Sequence, residues 1–171
     1  DWKFDGLPHG YDHKFIYTHT GYNLKITDMQ AAVGLAQLDK VDKFIQKRKE
    51  NFNWLKKHLE KYERYFLLPQ ETEKSEPSWF GFPILIKDNA PFSLLELNGY
   101  LFSHNVDTRP IFTGNITKQP YFKNKQFRIV GNLNNTDKMM ERTFWIGVYP
   151  GITEEMIQYV IKQFKGFFNN I

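Results

Sequence analysis

Four helix-start signals divide this chain, and the apolar runs between them are too short for anything but strands. Thr27 with Gln30, and again Ser93 with Glu96, have the spacing of a capping box, in which each side chain satisfies a backbone N–H left free at a helix start. Asn134, Asn135 and Thr136 form a third start, and Thr153 with Glu154 and Glu155 a fourth. Asp28 adds negative charge at the positive end of the first helix. Beyond it, apolar residues recur at Met29, Val33, Ala36, Leu38, Val41, Ile45, Phe52, Leu55 and Leu59, which is helical spacing. More than about 30 uninterrupted residues is long for a globular helix, so a break is expected near Asp39. Gly34, about 1 kcal/mol worse than alanine inside a helix, is expected to mark close packing against a neighbour.

Residues 79–87 are apolar and aromatic and are bounded by Pro77 and Asp88; they predict a buried strand with Pro83 near an edge or a bulge. Residues 106–112 and 144–149 predict two more strands, and residues 69–77 and 113–131 predict loops. The second helix should run to about His104 with Asn105 as its stop, the third to about Arg142 and the last to about Phe168. The order is long helix, β, α, β, α, β, α. It predicts an α+β fold, with a small, mainly antiparallel sheet of three or four strands flanked by helices. Residues 1–26 carry Gly6, Pro8, Gly10 and Gly21 without helical periodicity, and they predict an extended arm ahead of a domain over 27–171.

Composition narrows the function classes. The 171 residues, 41% hydrophobic and 17% aromatic, suffice for one cored domain. The absence of cysteine excludes disulfides, thiolate metal sites and any iron–sulfur cluster ligated by this chain, and is compatible with the cytoplasm. No stretch approaches the roughly 18 apolar residues of a membrane helix, and the charged, aromatic start is unlike a signal peptide. A net charge of +4 is too slight to indicate nucleic acid, because the basic region 40–64 also carries Asp42, Glu50, Glu60 and Glu63. His9, His13 and His19 lie near Asp5 and Asp12, but no helical pattern holds them in the fixed geometry a metal site needs. His58 and His104 fall on helix faces and read as structural.

Four stretches carry a resemblance: GYNLKITDMQAAVGLAQL (21–38), PSWFGFPI (77–84), TRPIFTGNITKQPYF (108–122) and FWIGVYPGITEEM (144–156). Together they resemble the DegT/DnrJ/EryC1/StrS family of nucleotide-sugar aminotransferases and dehydratases, and within it the CDP-4-keto-6-deoxyglucose-3-dehydratase branch. The resemblance implies the small C-terminal domain of a fold-type I enzyme that uses pyridoxal or pyridoxamine phosphate. The chain is then expected to lack most of the cofactor site, to hold no catalytic residue and to be inactive alone. Asn23 matches the residue that reaches the cofactor phosphate of the neighbouring subunit, which implies a homodimer; the alternative is an asparagine that stabilises a turn. Lys25 stands where many relatives carry arginine and loses the bidentate fork. Arg109 has the donors for a diphosphate or sugar hydroxyls, or is an ordinary surface arginine. Phe112 aligns where the aminotransferase branch commonly carries histidine. Phenylalanine cannot exchange protons, so it favours dehydration. Asn115 and Thr117 are candidates for hydrogen bonds to sugar hydroxyls.

The implied reaction is removal of the C3 hydroxyl of a nucleotide-linked 4-keto-6-deoxyhexose, for 3,6-dideoxyhexose and O-antigen (lipopolysaccharide) biosynthesis. A reductase partner and an iron–sulfur cluster held by cysteines upstream of Asp1 belong to the same implication. Two alternatives stay open: a sugar aminotransferase of the same family, and a non-catalytic carbohydrate-binding or interaction domain.

Overall fold

Helix α1 (Asp28–Leu59) begins at the expected cap: Thr27 N–H donates to Gln30 Oε1 at 2.8 Å, and Gln30 N–H donates to Thr27 Oγ1 at 3.3 Å. The computed structural model describes residue 22 and residues 24–112, 114–122 and 124–171. Asn23 and most of the expected arm over 1–26 therefore lie outside the described residues. The chain divides into two compact units, Asp1–Asp39 and Lys40–Ile171.

Two expectations for α1 are corrected. The helix runs through Asp39 as one 32-residue element, because residues 35–43 contain neither proline nor glycine to interrupt it. Gly34 does not mark close packing among the described residues: a Cβ built there meets nothing within 4 Å. Met29, Val33, Leu35 and Leu38 around it are all exposed. Toward its C-terminus α1 buries Asn51, Phe52, Leu55 and Leu59.

Lys40–Ile171 forms the expected α+β fold. Strands β1 (Phe66–Leu67), β2 (Gly81–Ile86), β3 (Arg109–Pro110) and β4 (Thr143–Gly147) make one antiparallel sheet in the order β1-β2-β4-β3. Phe82 faces Ile146 across the central pair, and Arg109 faces Trp145 at the edge. β1 pairs only with Leu85 and Ile86, so β2 has a single neighbour at Pro83, where the missing N–H does no harm. The strand expected over 106–112 contracts to β3. Val106 N–H is taken by Leu101 O after the turn at Asn105 (φ 57), and Pro110 cannot donate.

Alternation sorts the sheet into two faces. Phe82, Ile84, Ile86, Phe144 and Ile146 point into the core, where Phe52 of α1 meets Phe82 at 4.8 Å and Phe164 of α4 (Glu154–Asn169) meets Phe66 at 6.1 Å. Leu97 and Leu101 of α2 (Leu94–Ser103) complete that layer. Helix α3 (Asn134–Arg142) packs on β2 and β4 from the side of Thr143, whose hydroxyl lies 3.5 Å from Met139 Sδ. The third helix start needs correction: Asn134 is already helical and Leu133 precedes it without a side-chain cap, while Asn132 Oδ1 accepts the Asn134 N–H at 3.3 Å. Among the described residues no helix is long and apolar enough to cross a membrane.

Both capping-box bonds form at Ser93, and the Ser93 N–H and hydroxyl that donate to Glu96 hold its carboxyl below the usual carboxylate range. Ser93→Ala should therefore lose about 1 kcal/mol of stability in urea unfolding, with the m-value unchanged.

Candidate functional site

Arg109, Phe112 and Asn115 come together around the loop that leaves β3. Arg109 sits on the edge strand with its guanidinium 2.8 Å from Asp107, and both side chains are exposed. Asp107 also helps line a cavity of about 550 Å³ with Val106, Ile146, Tyr149, Met156 and Tyr159. The indole N–H of Trp145 donates to Pro110 O at 3.2 Å, which ties the start of the loop to β4. Phe112 is 75% exposed, with its ring 6.3 Å from Trp145, and Phe80 meets the same indole edge-on at 5.0 Å. Gly81 makes room for this grouping, since a Cβ there would overlap the indole. The result is an aromatic shelf beside an arginine.

Asn115 behaves differently from an open substrate contact. It is only 2% exposed; its side-chain oxygen accepts from Thr117 N–H (3.0 Å) and Thr117 Oγ1 (2.7 Å), and its amide donates to Asp137 Oδ1 at 2.7 Å. With the side chain buried and its oxygen taken twice by Thr117, the residue's part in the fold is to hold the turn over Ile116–Lys118. Lys118 Nζ reaches the same Asp137 oxygen at 2.8 Å, with Glu141 at 4.0 Å. The amide of Asn115, with Lys118 beside it, holds the Asp137 carboxyl below its ordinary range, and Asp137 in turn raises Lys118. A depressed carboxyl contributes stability above its ordinary range. That contribution is lost as pH falls through the depressed value.

Asn23 lies outside the described residues; its described neighbours Tyr22 and Lys25 are exposed. Among the described residues no group of acids, histidines or cysteines could hold a metal. His58 and His104 turn Nδ1 to backbone oxygens of their own helices, Trp54 O and Tyr100 O, in keeping with a structural role. Sequence reasoning missed Trp145, Asp137, Lys118 and Met140. Strand alternation alone would have set Trp145 on the face opposite Phe144 and Ile146; the α3 residues had no local signal.

A small antiparallel four-stranded sheet with helices packed on it is the C-terminal arrangement of pyridoxal-phosphate aminotransferase folds, and the comparisons agree. Residues 3–165 match the DegT/DnrJ/EryC1/StrS aminotransferase family, and the chain belongs to that family. It is 53% identical over 166 residues to the lipopolysaccharide biosynthesis protein RfbH of Salmonella typhimurium, covering 97% of this chain and 38% of that protein. Over 167 residues it is 46% identical to the dTDP-4-dehydro-2,6-dideoxy-D-glucose 3-dehydratase of Saccharopolyspora spinosa, covering 98% and 36%. Among solved structures, Escherichia coli GDP-4-keto-6-deoxy-D-mannose-3-dehydratase with bound hydrated PLP superposes with a TM-score of 0.81 at 26% identity, over 92% of this chain and 40% of that one. The chain thus spans about two fifths of the length of the proteins it matches.

Proposed function

We propose that this chain is the small domain of a nucleotide-sugar 3-dehydratase that serves 3,6-dideoxyhexose and O-antigen biosynthesis in the cytoplasm, and that it is inactive alone. The observation that carries the reading is Phe112: an exposed ring with no exchangeable proton, at the head of the proposed binding loop, where the family resemblance implies that aminotransferases commonly carry histidine. The name of the relative at 46% identity, a 3-dehydratase, supports the same branch, and that of the relative at 53%, a lipopolysaccharide biosynthesis protein, supports the biosynthetic setting.

The chain's own residues bind and orient. Arg109 supplies fixed donors to the diphosphate or sugar hydroxyls, exchanging its contact with exposed Asp107 for the substrate. The shelf of Phe112, Trp145 and Phe80 packs against the sugar's apolar face and keeps water from it. Asn23 offers an amide, a donor that fits the cofactor phosphate of a partner subunit in a homodimer, and Lys25, two residues on, is exposed. Pyridoxamine phosphate, when bound, supplies the electron sink for loss of the C3 hydroxyl. The electrons that replace C–OH by C–H come from a reductase partner. This chain has no cysteine, so any iron–sulfur cluster is held elsewhere.

The test is product analysis of the full-length protein with a nucleotide-linked 4-keto-6-deoxyhexose, pyridoxamine phosphate and a reductase. A 3-deoxy product is expected, and residues 1–171 alone should yield none. Phe112→His should leave folding nearly intact, as expected for an exposed residue, and raise transfer of nitrogen from glutamate to the 4-keto sugar. An amino sugar as the main wild-type product would overturn the assignment in favour of the aminotransferase branch.

A further inference from the structure

We propose that Asp137 of α3 is a positioning residue for sugar-nucleotide binding: it anchors the turn that follows Phe112, and through it the placement of Phe112 and Arg109. The inference rests on the reading of that loop as the substrate-binding loop.

Three attachments converge on one helix. Asp137 Oδ1 accepts both the buried amide of Asn115 (2.7 Å) and the ammonium of Lys118 (2.8 Å), so a single carboxylate oxygen holds both ends of the turn. One turn further along α3, Met140 Sδ receives the Asn115 N–H at 3.4 Å. The same side chain fills the space beside Gly114 (φ 67), where a Cβ would come within 2.7 Å of Met140 Cβ. The loop end nearest β3 is tied separately by the Trp145 indole to Pro110 O. Phe112 and Arg109 therefore sit between two anchors, one on the sheet and one on α3. Both polar groups of the α3 anchor are engaged with the loop, Asp137 Oδ1 with Asn115 and Lys118 and Met140 Sδ with the Asn115 N–H. Lys118 is neutralised by Asp137 and Glu141, which keeps its charge from drawing a diphosphate away from Arg109.

The chemistry explains why an aspartate stands here. A carboxylate oxygen accepts two donors, one of them charged, whereas an asparagine oxygen retains the Asn115 bond but not the ion pair. Asp137→Asn should accordingly fall between wild type and Asp137→Ala. The side chain is part-exposed, so both variants should fold.

The experiment uses the full-length protein loaded with pyridoxal phosphate. Affinity for a nucleoside diphosphate-6-deoxyhexose is read by calorimetry, beside kcat, KM, thermal midpoint and the rate of tryptic cleavage after Lys118. Asp137→Ala should weaken affinity and raise KM about tenfold, the scale of a lost charge-assisted bond, while kcat stays within about twofold. Cleavage after Lys118 should accelerate by more than the modest drop in thermal midpoint from the lost bonds accounts for. Faster cleavage with unchanged affinity would overturn the proposal, because the loop would then be free without consequence for binding. A drop in kcat and thermal midpoint at unchanged affinity would overturn it as well, since that is a purely structural effect. A wild-type product bearing an amine overturns the dehydratase assignment and not this inference, because affinity is measured without turnover.

Discussion

Phe66→Ala should cost about 3–5 kcal/mol, the range of a fully buried phenylalanine truncated to alanine. Phe66 is completely buried in the two-residue strand β1, and its ring meets Tyr62, Phe92, Phe164 and Phe168 edge-on at 6.4, 6.2, 6.1 and 5.5 Å. Those partners come from the segment after α1, the segment before α2, and α4, so the one ring joins three parts of the core. The cavity left behind would be walled by rigid rings that collapse poorly, which sets the loss toward the upper part of the range. Urea unfolding of the chain would show it as a lower midpoint at unchanged m-value. Phe112→Ala is the control: its ring is exposed, and the loss should stay within about 0.5 kcal/mol. A loss at Phe66 no larger than that at Phe112 would contradict the packing described for β1.

The contrast between those two phenylalanines also marks what could be read along the chain. The capping boxes at Thr27 and Ser93 and the cap at Thr153 were legible because each needs only residues three apart, and all three form. Short apolar runs separated by helices made a small sheet legible, but their spacing did not fix the strand directions, which the pairing of β2 with β1 and β4 supplies. β1 was not legible: two residues give no period, and they become a strand only because Ile86 and Leu85 offer a partner. The expected break in α1 failed for a related reason, since length alone does not stop a helix whose residues are good formers and lack proline.

At the site, Asn115 and Thr117 were legible as polar loop residues, but neither the turn they form nor its anchor was. Asp137 lies 22 residues away, and nothing in either segment announces the other. Polar loop residues invite a reading as substrate contacts. Burial favours a structural part for Asn115, whose side chain is occupied within the protein, while the exposed and exchangeable ion pair of Arg109 is compatible with the contact proposed for it. Exposure and partners, which only the tertiary structure supplies, separate the two.

Gly114→Ala tests that tertiary contact from the opposite side of the clamp, with an expected loss of about 2–5 kcal/mol. Two effects add. The backbone at φ 67 is strained for any residue with a Cβ, by about 1–2 kcal/mol. The new methyl would also overlap Met140 Cγ and approach Met140 Cβ to 2.7 Å, and such overpacking costs about 1–3 kcal/mol. Gly131 separates the two, since its φ is 72 yet nothing lies within 4 Å of a Cβ there; Gly131→Ala should lose only the backbone part. Adding Met140→Ala to Gly114→Ala should recover the overlap part, so the pair should couple while Gly131→Ala with Met140→Ala should simply add. Urea unfolding of wild type and the five variants, three single and two double, measures every corner of both cycles. Because relief can come only by moving the loop off α3, Gly114→Ala should also weaken nucleotide-sugar binding in the full-length protein, and the double variant should regain part of it. Equal losses at Gly114 and Gly131, with no coupling to Met140, would mean that the loop does not rest on α3.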